Sequence, residues 1–293
     1  MVLISLVLLR IVANPLSNLF QKKLVNDSAD PLFIIFIVYG LLTVLSFPFL
    51  KLILFAYLHV EFFFYIILCA VFAVSSNVLL VAALKHGDLS LLGPVNSYKP
   101  VVGLVFGIIL LGEIPNLIGL LGFILILLGS YLISNGNVGG VHSNKLWNFF
   151  KDKGVRLRLV ALILSGTEAV FLKKALEYST PLISMIFWCV FGFIISGIVS
   201  LIILKNKLGS EIKIFLKEKS KYFLLFITTG TMQYSTLLVF ERMQVSYALV
   251  LFQTSALFSV FLGYRYFNEK DIKKRFAGSI VMIMGAAAII MYG

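Results

Sequence analysis

Residues 118–133 read Ile-Gly-Leu-Leu-Gly-Phe-Ile-Leu-Ile-Leu-Leu-Gly-Ser-Tyr-Leu-Ile, without a charge or a proline. The run does not alternate apolar with polar residues, so it is no strand of a membrane barrel, whose lipid and lumen faces differ. It reads as a helix, and a helix that is apolar all round belongs in lipid or in a very large core. The rest of the chain decides for lipid. Of its 293 residues 60% are hydrophobic and 13% charged, with a mean hydropathy of +1.02, whereas a soluble domain is about a quarter charged. Hydrocarbon satisfies no backbone hydrogen bond, so each span must close its own bonds as a helix.

A bilayer core about 30 Å thick needs roughly 20 apolar residues per helix. Working outward from 118–133, charges, prolines and glycines cut the chain into ten such runs, at 2–21, 31–50, 60–84, 88–111, 115–134, 157–177, 181–204, 221–241, 245–266 and 274–292. The first run contains Arg10 and Pro15 and lacks a small-residue cleavage site, so it is expected to be a retained helix and not a secretory signal. The polar stretch 135–156 separates a first five-helix repeat, 1–134, from a second, 157–293. A shift of 156 residues pairs Ser90 with Ser246, Gly107 with Gly263, Glu113 with Glu269, Gly122 with Gly278 and Gly129 with Gly285. A shift of 151 pairs Phe20, Lys22 and Lys23 with Phe171, Lys173 and Lys174. An odd number of spans per half places duplicated halves in opposite orientations, with a site between them near the bilayer centre. The expected fold is therefore an all-α membrane protein of ten transmembrane helices arranged as two inverted five-helix repeats.

Composition also narrows the chemistry. The net charge of +12 sits mostly at helix flanks, where anionic lipid headgroups explain it better than nucleic acid does. Cys69 and Cys189 lie within apolar runs, and His59, His86 and His142 fit no metal-ligand spacing. No GxxxxGK[ST], HExxH or GxSxG motif occurs, so neither ATP coupling, a cofactor nor an intramembrane enzyme is expected.

The stretch Pro100-Val-Val-Gly-Leu-Val-Phe-Gly-Ile-Ile-Leu-Leu-Gly-Glu113, followed by a helix carrying Gly119, Gly122 and Gly129, resembles the EamA-type branch of the drug/metabolite transporter superfamily. Asn268-Glu269 with Gly278 and Gly285 repeats the pattern in the second half, and Ala29-Asp30-Pro31 and Ser179-Thr180-Pro181 are similar to the family's turns before its second and seventh helices. The resemblance covers the whole chain. It implies ten helices, a central cavity and solute transport by alternating access, here in a bacterial plasma (inner) membrane.

Several residues stand out as candidates for that cavity. Lys99 falls near the middle of the fourth run beside Asn96, Ser97 and Tyr98; a lysine at a helix centre costs about 2.5–3.5 kcal/mol to insert, which implies a polar surround. Pro100 removes a backbone donor next to it, so a kink is expected there. Lys99 either faces a solute or pairs with a carboxylate. Arg10 and Glu168 lie in the first and sixth helices, at equivalent places in the two halves. Glu168 either carries a coupling proton or cation, or is locked to Lys99 or Arg10. Asn77, Gln233 and Gln253 add neutral polar groups inside helices. The expected substrate-binding set is thus Lys99, Asn96, Tyr98, Asn77, Gln233, Gln253 and Arg10, with Glu168 as the coupling residue. Glu113 and Glu269 read as helix caps at tight corners.

A secondary transporter of a small organic metabolite is the leading reading, with a lipid or lipid-linked sugar flippase as the alternative. Its partners would be the solute, membrane lipids and a proton or other cation; a monomer satisfies this reading. Nineteen Lys and Arg, Arg158 among them, flank one side of the ten runs and four the other. The positive-inside rule places the rich side in the cytoplasm and both termini outside. Single cysteines at Asn137 and Ser210 should accordingly react in intact cells with a membrane-permeant thiol reagent alone; reaction of both with an impermeant reagent reverses the orientation.

Overall fold

A computed structural model describes residues 2–49, 51, 58–86, 98–134, 153–255, 258 and 272–292. Asn96, Asn137, Asn268, Glu269 and most of 135–156 lie outside the described residues. The described elements are helices: α1 Val2–Asn26, α2 Pro31–Ser46, α3 Val60–His86, α4 Lys99–Leu111, α5 Leu117–Ser134, α6 Lys153–Leu176, α7 Pro181–Ile203, α8 Leu208–Lys217, α9 Lys219–Phe240, α10 Val245–Phe252 and α11 Ile272–Tyr292. Five described helices are long and apolar enough to cross a bilayer, namely α1, α2 with the short 3₁₀ turn that follows it, α3, α7 and α9; shorter apolar helices cover Lys99–Leu111, Leu117–Gly129 and Ile280–Met291.

Local chemistry starts and stops these elements. Asp30 caps α2 by accepting from the Leu32 N–H at 2.9 Å, and Thr180 caps α7 by accepting from the Ile183 N–H at 3.4 Å. Each is followed by a proline in the first turn, where its missing N–H has no intrahelical partner to lose. The same device thus opens the same helix in each half. The structure corrects two helix boundaries. The fourth run is expected to place Lys99 mid-helix beside a proline kink, but the described helix opens at Lys99, with Pro100 in its first turn. The stretch 205–220, left between the seventh and eighth runs, contains α8, whose buried Glu211 accepts from the Asp30 N–H at 3.0 Å.

At its far end α4 stops at Gly112, whose φ of 67° suits a residue without a Cβ. The chain then turns so that Glu113 accepts from the N–H of Val245 at 2.7 Å. The cap expected of Glu113 therefore serves α10 in the other half of the chain. Tyr247 reaches back, its hydroxyl accepting from the Asn116 N–H at 2.9 Å.

Helices of the two halves pack as a twofold arrangement requires. α1 lies on α9 and α3 on α6, while α2 pairs with α7, α4 with α10 and α5 with α11; exchanging the halves leaves this pattern unchanged. The α5–α11 seam fixes the sense of the pairing. A Cβ at Gly122 would lie 2.7 Å from the Gly285 carbonyl oxygen, one at Gly285 2.6 Å from that of Gly122, and one at Gly129 2.6 Å from that of Gly278. Gly122 meets Gly285 while Gly129 meets Gly278, so the two helices run antiparallel with backbones in contact. Reciprocal contact of this kind marks a twofold relation, and small residues are what allow membrane helices to approach so closely.

Side chains at this seam have nowhere to go. Gly122→Val should lower stability by roughly 1–3 kcal/mol, the usual penalty for overpacking, seen as a lower melting temperature in detergent. Gly209→Ala, where an added Cβ meets nothing within 4 Å, should leave it unchanged.

Candidate functional site

Between the halves lies a cavity of about 120 Å³, lined by α1, α2, α3 and α4 from one half and by α6, α7, α9 and α10 from the other. Charged side chains reach it from three helices: Arg10 from α1, Lys99 from the first turn of α4, and Arg158 and Glu168 from α6. The α4 backbone packs on α6 there, since a Cβ at Gly166 would come within 2.7 Å of Val102 and 3.5 Å of the Lys99 carbonyl oxygen. That close approach brings the start of α4 against the cavity-facing stripe of α6.

Each charge is held differently. Arg10 donates from Nε to Thr236 Oγ1 at 2.8 Å and its guanidinium sits 4.8 Å from the centre of the Phe252 ring, a cation–π contact. Its Nη1 is buried and has no partner among the described residues. Glu168 lies in the combined field of Lys99 and Arg10, with the Trp188 indole beside it. Neither cation touches it. Among the described residues the ion pairs within 4.0 Å are Lys174–Glu177, Lys221–Asp27 and Lys221–Glu218, all away from the cavity. Lys99 lies in the field of Glu168, Arg10 and Arg158. Arg158 has a buried, unpartnered Nε and, among the described residues, no carboxylate acting on it.

Neutral polar groups complete the wall. Asn14 donates from Nδ2 to Ser255 Oγ at 3.2 Å, and the hydroxyls of Ser17 and Thr229 are 2.9 Å apart, which ties α1 to the second half. Gln233 and Gln253 both line the cavity, and Gln233 Nε2 is buried without a partner. Asn77 also lines it, but its Nδ2 donates to the Ala73 carbonyl of its own helix at 2.8 Å. Tyr98 is different: its side chain is 54% exposed and lies outside the cavity wall. It occupies the N-cap position of α4, and Asn96, the other residue expected beside Lys99, is outside the described residues.

Arg158, Tyr39 and Trp188 line the cavity without having been singled out in the sequence. For Arg158 a signal exists. Positions 158, 161, 165, 168 and 172 all face the cavity and follow the three-and-four spacing of a single helix face. Arg158 is thus in register with Glu168, and its place among the cytoplasmic loop charges is corrected by α6 beginning at Lys153.

Polar ties close the bundle at both ends of α9. Near its C-terminus Lys173 donates from Nζ to the carbonyl oxygens of Phe240 and Met243. Near its N-terminus Lys221 pairs with Asp27 at 2.5 Å. Lys221 and Phe240 are about 30 Å apart along the helix at 1.5 Å per residue, so these ties lie at opposite ends of the bundle.

Known proteins were compared with this arrangement. A solved crystal structure superposes with a TM-score of 0.67 over 99% of both chains at 14% identity, which establishes a shared fold. No curated protein matches. The family model for EamA-like transporters matches residues 2–135 and 152–291, one match on either side of the polar stretch. With that match covering nearly the whole chain in two repeats, the protein is a multi-pass integral membrane protein that belongs to the EamA-like transporter family.

Proposed function

We propose that the chain is a secondary transporter that carries a small organic metabolite through the central cavity by alternating access. On this reading residues 1–134 and 157–293 are inverted five-helix halves joined by 135–156, ten spans in all, with both termini outside the cytoplasm. The observation that carries the reading is the cavity itself, lined by charged and polar side chains and walled by both halves. Ionisable groups inside membrane helices face a bundle interior or a water-filled cavity and commonly line a solute or ion path. The antiparallel glycine seam supports inversion, and the ties at Lys173 and at Lys221 supply two sets of contacts that a rocking motion can break in turn. The protein performs no chemistry on its solute.

Glu168 is the coupling residue. It is the only carboxylate on the cavity wall among the described residues, and the cations nearest to it remain beyond contact distance. A carboxylate in this setting can exchange a proton with the cavity while Lys99 and Arg10 adjust the field around it.

Purified protein in liposomes, screened with organic solutes under an imposed pH gradient and without one, should show solute uptake that the gradient drives uphill. Glu168→Gln should abolish the uphill component and leave solute exchange measurable. Gradient-driven accumulation unchanged by this substitution removes Glu168 from coupling.

A further inference from the structure

The cavity is strongly unbalanced in charge. Among the described residues Arg10, Lys99 and Arg158 face one carboxylate, Glu168, and a low-dielectric setting makes that excess far more consequential than it would be in water. The imbalance is also localised. Glu168 stands in the field of Lys99 and Arg10, whereas no carboxylate among the described residues acts on Arg158. Among the described residues Glu168 therefore serves Lys99 and Arg10 together, and Arg158, which also acts on Lys99, adds positive charge without a counter-charge of its own.

Hydrogen-bonding capacity is skewed the same way. Arg10 Nη1, Arg158 Nε, Trp188 Nε1 and Gln233 Nε2 are buried donors without partners among the described residues, whereas Gln21 Oε1 is the only pure acceptor on the cavity wall in that position. Buried polar groups are nearly always satisfied, so groups that face a cavity together indicate what enters it. Four donors and three cations set against one carboxylate among the described residues call for oxygens that bear negative charge. An arginine and a lysine divide that work well, the guanidinium offering a fork and the ammonium a point charge.

We infer that the solute is an organic anion whose carboxylate or phosphate group is seated between Lys99 and Arg158. The inference rests on the transport reading for the word solute, but the site can be tested by binding alone. The sense of the cavity charge also disfavours cationic compounds, because an amine entering it meets an excess of like charge.

The test uses the full-length protein in detergent, with ligand-induced thermal stabilisation measured for three matched series: mono- and dicarboxylates with phosphate monoesters, their neutral amides and alcohols, and the corresponding amines. Stabilisation by anions and by neither of the other series is expected; comparing carboxylates with phosphate esters tells which anionic group is preferred. Arg158→Gln should weaken that binding roughly tenfold or more, as for a lost charge-assisted hydrogen bond, and Arg158→Lys should recover part of it. Lys99→Met, which keeps most of the volume and removes the charge, should weaken it comparably. The ligand-free melting temperature of each variant separates lost binding from lost folding. Amides or amines that stabilise as well as the anions, no stabilisation by any anion in the series, or anion binding unchanged in well-folded Arg158→Gln and Lys99→Met overturns the inference. Counterflow of the same compounds in liposomes distinguishes the two claims: anions that bind but are never exchanged refute transport and leave the anion site standing.

Discussion

An ionised group inside a bilayer must be surrounded by water, by opposite charge or by fixed dipoles, and most of what is distinctive in this protein follows from that constraint. Arg10, Lys99, Arg158 and Glu168 belong to helices that are otherwise largely apolar, and each would oppose insertion by about 2.5–3.5 kcal/mol at a helix centre. They share one cavity instead of dispersing along the bundle. Around them stand polar side chains such as Asn14, Ser17, Asn77, Thr229, Gln233 and Gln253, interspersed with apolar and aromatic ones such as Leu80 and Trp188. The remaining surface of those helices is left to Ile, Leu, Val and Phe, many of them exposed to lipid.

Concentrating charge between the halves puts the burden of cohesion elsewhere. At the α5–α11 seam the backbones themselves meet through Gly122, Gly129, Gly278 and Gly285. Near the cavity the two halves are joined by side-chain hydrogen bonds such as Arg10–Thr236 and Ser17–Thr229. A bundle rigid at one seam and held by exchangeable polar contacts at another can rock about the rigid one. The reciprocal cap, with Glu113 from the α4–α5 corner bound to the first turn of α10, links that seam to the short helix that carries Phe252 to Arg10.

Much of this was legible in the sequence because it depends on spacing. Apolar runs of span length give the helices, and four of the glycines matched by a shift of 156 residues meet across the seam, Gly122 with Gly285 and Gly129 with Gly278, each with the counterpart of the other. Arg10, Lys99 and Glu168 were conspicuous because a charge interrupts a run that is otherwise apolar. Arg158 was hidden by the opposite circumstance: it lies close to Lys153 and Arg156, and a charge near other charges looks like a loop. Only the start of α6 and the helical register reveal it as a cavity residue. Glu113 read correctly as a cap, but the helix it caps is 132 residues away, and no local pattern specifies a partner at that distance. The placing of Lys99 in a first turn, and the outward turn of Tyr98, likewise depend on how α4 meets α6.

The central claim is that the cavity opens alternately to the two sides of the membrane. Ser165 lines it on α6, between Arg158 and Glu168, and its hydroxyl donates only to the Leu162 carbonyl of its own helix, so Ser165→Cys places a small thiol there with little disturbance once Cys69 and Cys189, both buried, are replaced by alanine. The rate of its modification by a membrane-impermeant thiol reagent, added to one face or the other of oriented vesicles, is the direct measurement. Reaction from both faces, with rates that shift in opposite directions when an organic-anion gradient is imposed, is the predicted result. Reaction from a single face under every gradient, or from neither, would contradict the account.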